Sequence, residues 1–292
     1  MTLERLRERI LVIGGTGRIG RHVTARLALG PHEIAVCHRG RTAAELPSRV
    51  LHFASTGANL PLIFYPDAAI QWRPTILIHM ICMGDPDAAA CVATFGSVAR
   101  RCVLVSSGDV YAAYGRFLRL ESGIPDPTPQ AEDATLRSVL FPYRAGAAAG
   151  SLEYWYEKQL AERSIAGGEW EWVILRLPKV YGPGINEDLA SIYDHAGQPH
   201  WRWTHDHVVN VGAAIALAAL HPAAARRTYN VGEAVTPTMG ERLARLPPRA
   251  GQKSGVPMVD RDYSHDLVLD TRRIRNELGF RDEVPETSAC EV

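Results

Sequence analysis

The sequence is short of lysine. Among 32 basic residues only three are lysines, Lys158, Lys179 and Lys253, so each carries more information than usual. Neither sign of charge is in excess: 32 basic residues stand against 32 acidic ones. Such a chain offers no basic field for nucleic acid or an anionic membrane surface. The basic stretches at 5–9 and 272–275 are broken by apolar or acidic residues and read as solvated helix faces. The five cysteines (Cys37, Cys82, Cys91, Cys102 and Cys290) include no Cys-x-x-Cys pair. Several lie in apolar runs, which predicts inert core thiols in a reducing compartment. No apolar run approaches the length of a bilayer span, and the first residues are too charged for a secretory leader. The expected setting is therefore the cytoplasm. No internal repeat or low-complexity segment is found.

What is present is alternation. With 292 residues, 46% of them apolar, the chain can build one large core or two joined lobes. Residues 10–13 read as a buried strand, 19–29 as a helix and 34–37 as a second strand. Gly30 and Pro31 are expected to end the helix, the glycine in a left-handed conformation. Strands follow at 75–80, 102–106 and 172–177, helices at 87–100 and 151–163. Beyond Pro178 come an alanine-rich helix (210–220), a short strand (228–231) and a last helix (271–278). Residues 121–129 and 246–257 have loop composition. This pattern predicts an α/β fold: a Rossmann-type doubly wound parallel sheet over residues 1–178 and a smaller C-terminal lobe over 179–292, partly interleaved with it.

The first strand runs into Gly14-Gly15-Thr16-Gly17-Arg18-Ile19-Gly20. Gly14 allows a tight turn, Gly17 a close approach of backbone to a pyrophosphate, and Gly20 close packing of the helix. Helix N–H groups would face the phosphates. Thr16, Arg18 and Ile19 complete this expected dinucleotide-binding turn. The second strand ends in His38-Arg39-Gly40-Arg41. An acidic residue there would hold a ribose 2′-hydroxyl; Arg39, beside His38 and supported by Arg41, suits the 2′-phosphate of NADP instead. The expected cofactor is NADP, with NAD as the alternative.

Tyr154 and Lys158 are four residues apart in the expected helix at 151–163, which would stack them on one face. A lysine cation there favours the phenolate and would fit the tyrosine for proton transfer between alcohol and carbonyl. Ser106 and Ser107 end a sheet strand, where open α/β sheets bind ligands. Ser107 would orient a substrate oxygen, or the pair would simply satisfy loop backbone. Asp109, two residues on, reads either as the cap of the turn to Tyr111 or as a general base.

Taken in order, the glycine turn, Ser106-Ser107-Gly108-Asp109-Val110-Tyr111, the Tyr154/Lys158 pair and the run from Leu175 to Gly184 resemble the NAD-dependent epimerase/dehydratase family. That family is the extended branch of the short-chain dehydrogenases/reductases. Tyr229-Asn230-Val231-Gly232 and the run from Arg275 to Phe280 extend the resemblance to about Asp282. The resemblance implies an oxidoreductase or epimerase on a small polar metabolite, sugar-nucleotide-like or a natural-product intermediate. It implies Ser107, Tyr154 and Lys158 as the catalytic set, with Lys158 also on the nicotinamide ribose, a carboxylate role for Asp109, and Pro178 and Val180 against the nicotinamide. A catalytically weak nucleotide sensor of the same fold is the other expectation. The chain departs from the family at 52–57, which lacks an aspartate, in the long Ser107–Tyr154 spacing, and in a short stretch at 241–262.

His205 and His207 are two potential metal ligands without a third at suitable spacing, so no metal is expected. Trp201 and Trp203 suit a substrate wall or lobe packing equally. The expected partner is a small molecule, with no nucleic acid and no membrane, and a homodimer is one possible assembly.

Overall fold

The computed structural model describes residues 7–40, 42, 44–55, 60–247 and 260–285. Arg41, Lys253 and Cys290 lie outside the described residues.

Strand β1, Arg9–Ile13, carries four fully buried aliphatic side chains in succession, so both of its faces are covered. It pairs in parallel with β2, Glu33–His38, on one side and with β4, Ile76–His79, on the other. Beyond β2 lies β3, Leu51–Ala54, and beyond β4 lies β5, Arg101–Ser107, both parallel. With β6, Glu171–Leu177, and β9, Arg227–Asn230, the sheet has seven strands in the order β3-β2-β1-β4-β5-β6-β9. The chain leaves β1 in one direction and returns to β4 in the other. That reversal is the switch point where doubly wound sheets bind ligands. The intervening helices are α1, Gly20–Leu27; α2, Asp67–Gln71; and α3, Asp85–Phe95.

The chain divides into two compact units. The first comprises Met1–Ser106, Tyr143–Leu175 and Gly212–Arg227; the second Ser107–Pro142, Arg176–Val211 and Thr228–Val292. The expectation set the boundary at 178 with partial interleaving; in the structure the segments following β5, β6 and β9 belong to the second unit.

In the first unit, Leu11, Leu77, Phe95, Leu104, Ile165 and Trp170 anchor one core. Each large side chain buried this way contributes roughly 1.5–3 kcal/mol. Cys37, Cys82, Cys91 and Cys102 are free and buried, as expected of core thiols. Burial pushes the Cys37 thiol up to about 11, which leaves it unreactive. Helix α8, Val208–Leu220, ends at the guanidinium of Arg101, which donates to the carbonyls of Ala219 (3.0 Å) and His221 (2.8 Å). A cation there satisfies the last carbonyls and the helix dipole together.

Two local expectations fail. Helix α1 stops at Leu27 with Ala28 still right-handed, and Gly30 is not among the left-handed glycines. The amides of Leu29 and Gly30 instead tighten onto Arg26 and Leu27, closing the end with i→i−3 bonds. The helix expected over 151–163 is broken into α5, Leu152–Trp155, and α6, Lys158–Ala166. Between them Tyr156 and Glu157 are extended (ψ 111° and 94°). The break follows from competing caps: Ser151 Oγ accepts from the Tyr154 amide, while the Glu157 carboxylate accepts from the Gln159 amide and starts a new helix. The Glu157 amide donates to the Met83 carbonyl (2.8 Å), which holds the gap open.

In the second unit, β7, Lys179–Tyr181, and β8, His205–His207, form a parallel ribbon with Lys179 opposite His205 and Tyr181 opposite His207. Around it are α4, Ala112–Phe117; α7, Ala190–Tyr193; α9, Met239–Leu243; and α10, Arg272–Leu278. Phe117 stacks on Trp201 at 4.9 Å and 13°, and the Trp201 indole donates to the His265 carbonyl. Trp201 is therefore lobe packing. Tyr111 donates to Asn230 (2.7 Å) and accepts from Arg176 (3.0 Å), whose guanidinium lies over the same ring. Three residues of the family-like motifs are thereby spent on a structural lock.

Candidate functional site

The glycine turn of the first unit is built for glycine. Gly14 has φ +84°, a left-handed conformation that disfavours side chains. A Cβ on Gly20 would stand 2.3 Å from the Gly14 carbonyl oxygen, inside any tolerable contact. At Gly17 it would meet only the Gly14 oxygen, at 3.2 Å, so its outer side is open. The Gly14, Gly15 and Gly17 amides are used within the turn and by β2. Those of Thr16, Arg18, Ile19 and Gly20 meet no acceptor among the described residues. Four unused donors at the start of a helix suit the oxygens of a pyrophosphate.

At the end of β2, His38 and Arg39 are half-buried and Gly40 is exposed. His38 Nδ1 accepts from the Gly40 amide (3.0 Å), so in the neutral ring the proton sits on Nε2. That nitrogen then donates to His52 Nδ1 on β3, 3.1 Å away. Burial, then the neighbouring His52, lowers the pKa of His38.

Lys158 opens α6 and is 5% exposed. Its ammonium donates to the carbonyls of Cys82 (2.6 Å) and Val105 (3.0 Å) and lies 5.7 Å from the Tyr156 ring. Burial and then the Lys158 charge push His79, at the end of β4, down to about 3, so it is neutral and shares a hydrogen bond with Tyr65 (3.2 Å). Ser106 donates to Glu162 of α6 (2.5 Å), a buried partner.

In the second unit, Ser107 accepts from the Asp109 amide (3.3 Å) and caps the single 3₁₀ turn Gly108–Val110. The cap of this turn is therefore Ser107, and not Asp109 as one reading expected. Asp109 is buried, and its carbonyl accepts from Arg137 Nε (2.5 Å). Pro178 joins β6 to β7 half-buried, and Val180 is buried within β7. His205 is buried, with Nδ1 on the Trp203 carbonyl (2.7 Å) and Nε2 on Ser191 (3.1 Å). Both of its nitrogens are in use. No cluster able to hold a metal ion occurs among the described residues.

No protein-family model and no curated protein matches the sequence. Solved structures are similar to it over the whole chain. WbmG of Bordetella bronchiseptica, in complex with NAD, aligns with a TM-score of 0.70 at 17% identity, covering 100% of this chain and 94% of that one. A short-chain dehydrogenase/reductase superfamily protein of Agrobacterium tumefaciens with bound NAD gives 0.66 at 19%, with coverages of 97% and 95%. The UDP-glucuronic acid 4-epimerase of Bacillus cereus, in complex with UDP-glucuronic acid and NAD, gives 0.66 at 15%, with coverages of 97% and 96%. The chain shares the fold of these structures.

Within that fold, the expected Tyr154–Lys158 stack is not formed. The helix break removes the i, i+4 relation, and the Lys158 ammonium is held by carbonyls. The cation recorded over the Tyr154 ring is Arg144, 4.7 Å from the centroid, and Arg144 Nε also donates to the Tyr154 carbonyl (3.0 Å). The Tyr154 hydroxyl meets no partner among the described residues. Arg144 lies in the long stretch between Ser107 and Tyr154. Its position ten residues before Tyr154 carries no periodic signal, so only the folded loop brings it to the ring. Glu162, a helical turn after Lys158, was legible as a same-face neighbour and was missed.

Proposed function

We propose that the chain is an oxidoreductase or epimerase/dehydratase that holds a nicotinamide dinucleotide on its glycine turn and acts on a small polar, sugar-nucleotide-like metabolite. The observation that carries this reading is the set of four unused amides at Thr16, Arg18, Ile19 and Gly20, in a turn that a Cβ at Gly20 would destroy. The NAD and UDP-glucuronic acid of the structures with this fold are consistent with it. When bound, the dinucleotide supplies hydride transfer. Arg39 favours the 2′-phosphate of NADP(H) over NAD(H), since no carboxylate stands at the end of β2. Tyr154 hands the proton to or takes it from the substrate oxygen, its ring held under the Arg144 guanidinium. Ser107 orients that oxygen, Asp109 serves as a carboxylate near the reacting carbon, and Lys158 fixes the ends of β4 and β5. Pro178 and Val180 flank the nicotinamide.

A second reading, a nucleotide-binding sensor that turns over weakly, is favoured by the engagement of Lys158 with two carbonyls and by the broken helix. Calorimetry and turnover separate the two. NADP(H) is expected to bind more tightly than NAD(H), with Arg39→Asp reversing the order. Tyr154→Phe is expected to lower turnover on a nucleotide-sugar panel by about 10²–10⁴-fold with dinucleotide affinity unchanged. Equal affinities for both cofactors would remove the Arg39 role. Dinucleotide binding without turnover in the parent would favour the sensor.

A further inference from the structure

Asp206 has no part in the chemistry proposed above. It stands in the middle of β8 and is 3% exposed. One carboxyl oxygen, Oδ1, accepts from the His207 amide and from Asn210 Nδ2, both at 2.8 Å. The other, Oδ2, is buried without a hydrogen-bond partner among the described residues. A buried carboxylate left half unsatisfied is costly, whereas a protonated carboxyl in the same place carries no charge. The surroundings do not supply a counter-charge. Asp282 and Glu233 both oppose ionisation of Asp206, and the cations near them are engaged, Arg275 with Asp282 and Arg242 with Glu233. His205 and His207, on either side in β8, are held towards their neutral forms by burial. On β7 the residue opposite Asp206 is the apolar Val180, and Lys179 stands opposite His205. Burial, joined by the two carboxylates, outweighs the hydrogen bonds and raises Asp206 to about 7.

Through Asn210 this carboxyl reaches the last part of the described chain. Asn210 lies in the first turn of α8 and is 2% exposed. Its Oδ1 accepts from the amides of Glu283 and Val284, each at 2.9 Å. Its Nδ2 donates to the Val284 carbonyl at 2.8 Å as well as to Asp206. One side-chain amide thus satisfies three backbone groups of a segment that belongs to no helix or strand. Asp206 sets which way that amide faces. Its Oδ1 is an acceptor whether or not Oδ2 carries a proton, so it draws Nδ2 towards β8 and leaves the Asn210 oxygen for the two amides. Asp282, one of the two carboxylates that oppose the Asp206 charge, immediately precedes the clasped pair. Undocking the segment would take that carboxylate away and admit water to Asp206.

We propose that Asp206 and Asn210 form a proton-held clasp on the segment 282–284, docked while the Asp206 carboxyl keeps its proton and undocked by loss of that proton. The device belongs to the second unit alone and is independent of any turnover by the chain. Its direction follows from linkage. The docked carboxyl titrates above the ordinary aspartate value of 3.8, so docking is fully favoured below 3.8 and weakens as pH rises towards 7. Above 7 the docked state loses its proton as well, and no further weakening follows.

Amide hydrogen exchange of the full chain, read by NMR at Glu283 and Val284, tests the clasp. Rates in the parent are divided by those in Asp206→Asn at the same pH, from about pH 4 to pH 8, which cancels the intrinsic acceleration of exchange by base. Asparagine keeps an oxygen for Asn210 and the His207 amide and cannot ionise. The variant retains Asp282, Glu233 and His207, so a pH-dependent ratio belongs to Asp206. The ratio is expected to rise by up to about tenfold per pH unit until about pH 7 and then level off, as one linked proton dictates. Should Asp206→Asn fail to fold, the same two amides are referred to those of α10 in the parent, with the same course expected. Asn210→Ala is expected to speed exchange at both amides at every pH by about tenfold or more, since it removes both of their acceptors. A ratio that stays flat across the range, or amides as well protected in Asn210→Ala as in the parent, overturns the proposal.

Discussion

The two units handle buried polarity in different ways. In the first, three buried ions draw on backbone: Lys158 on the Cys82 and Val105 carbonyls, Arg101 on the end of α8 as well as on Glu171, and Asp87 on the amides of Leu62, Met83 and Gly84, although Ser106 with Glu162 and Tyr65 with His79 are side-chain pairs. In the second, several buried groups meet one another: Arg242 with Glu233, Tyr111 with Arg176 and Asn230, Asp206 with Asn210. Backbone partners are supplied by the sheet wherever strands end, so they come with the fold. Side-chain partners must be chosen individually, which leaves room for groups held in unusual protonation states. Asp206 is one: burial raises it to about 7, against the hydrogen bonds from Asn210 and the His207 amide. His79 is the contrasting case in the first unit, pushed down to about 3.

The hardest test of this contrast is Gly20→Ala. The new Cβ, 2.3 Å from the Gly14 oxygen, must push the turn apart. Displacing the phosphate-facing amides by about 1 Å is expected to lower dinucleotide affinity by on the order of a hundredfold. Calorimetry that finds affinity intact would mean the turn does not hold the ligand.

Asp109→Asn probes the second unit. Ser107 caps the turn, so exchanging carboxylate for amide leaves that cap in place. Turnover is expected to fall by about a hundredfold if the carboxylate acts near the reacting carbon. A stable variant with parental turnover leaves Tyr154 and Ser107 without a carboxylate partner.

The smallest effect is the most specific to the comparison. Asp206 has a folded pKa above its unfolded one, so the folded state keeps its proton longer. Its contribution is therefore fully present below pH 3.8 and is lost as pH rises towards 7. Asp206→Asn removes that loss. It should melt higher than the parent at pH 8, by about 2–4 °C for each kcal/mol regained, and the gap should close as pH falls to 4. The first unit behaves oppositely through His79, which favours the neutral form in the fold. Its stability is lost as pH falls from 6.5 towards 3. An Asp206→Asn melting difference independent of pH would show that the residue is already ionised in the fold.

Much of the first unit was legible beforehand. The runs at 10–13, 34–37, 75–80, 102–106 and 172–177 are strands of the sheet within one or two residues, because a fully buried parallel strand needs a continuous apolar run and little else. The glycine turn was legible for the same kind of reason: its contacts are local. The short elements β7 and β8 were not. They are three residues long, and β8 reads His-Asp-His, a composition without an apolar run, until Lys179, Val180 and Tyr181 pair with it. Trp201 and Trp203 were undecided between wall and packing. Only the stacking of Phe117 on one and of Lys179 on the other separated them.

Tyr154 and Lys158 mark the boundary most clearly. Their spacing of four is a fact of the sequence, and so is the helical propensity around it. Whether that spacing becomes one face of a helix depends on two caps competing within seven residues and on the Met83 carbonyl that captures the Glu157 amide. That carbonyl is more than 70 positions away in the chain, and a contact of that range has no trace in local pattern. The sequence by itself determined the sheet, its turn of glycines and the inventory of reactive groups, because periodicity and backbone sterics act between near neighbours. Tertiary structure alone decided which cation meets which ring, setting Arg144 on Tyr154 and Lys179 on Trp203, because those pairings depend on where distant loops come to rest.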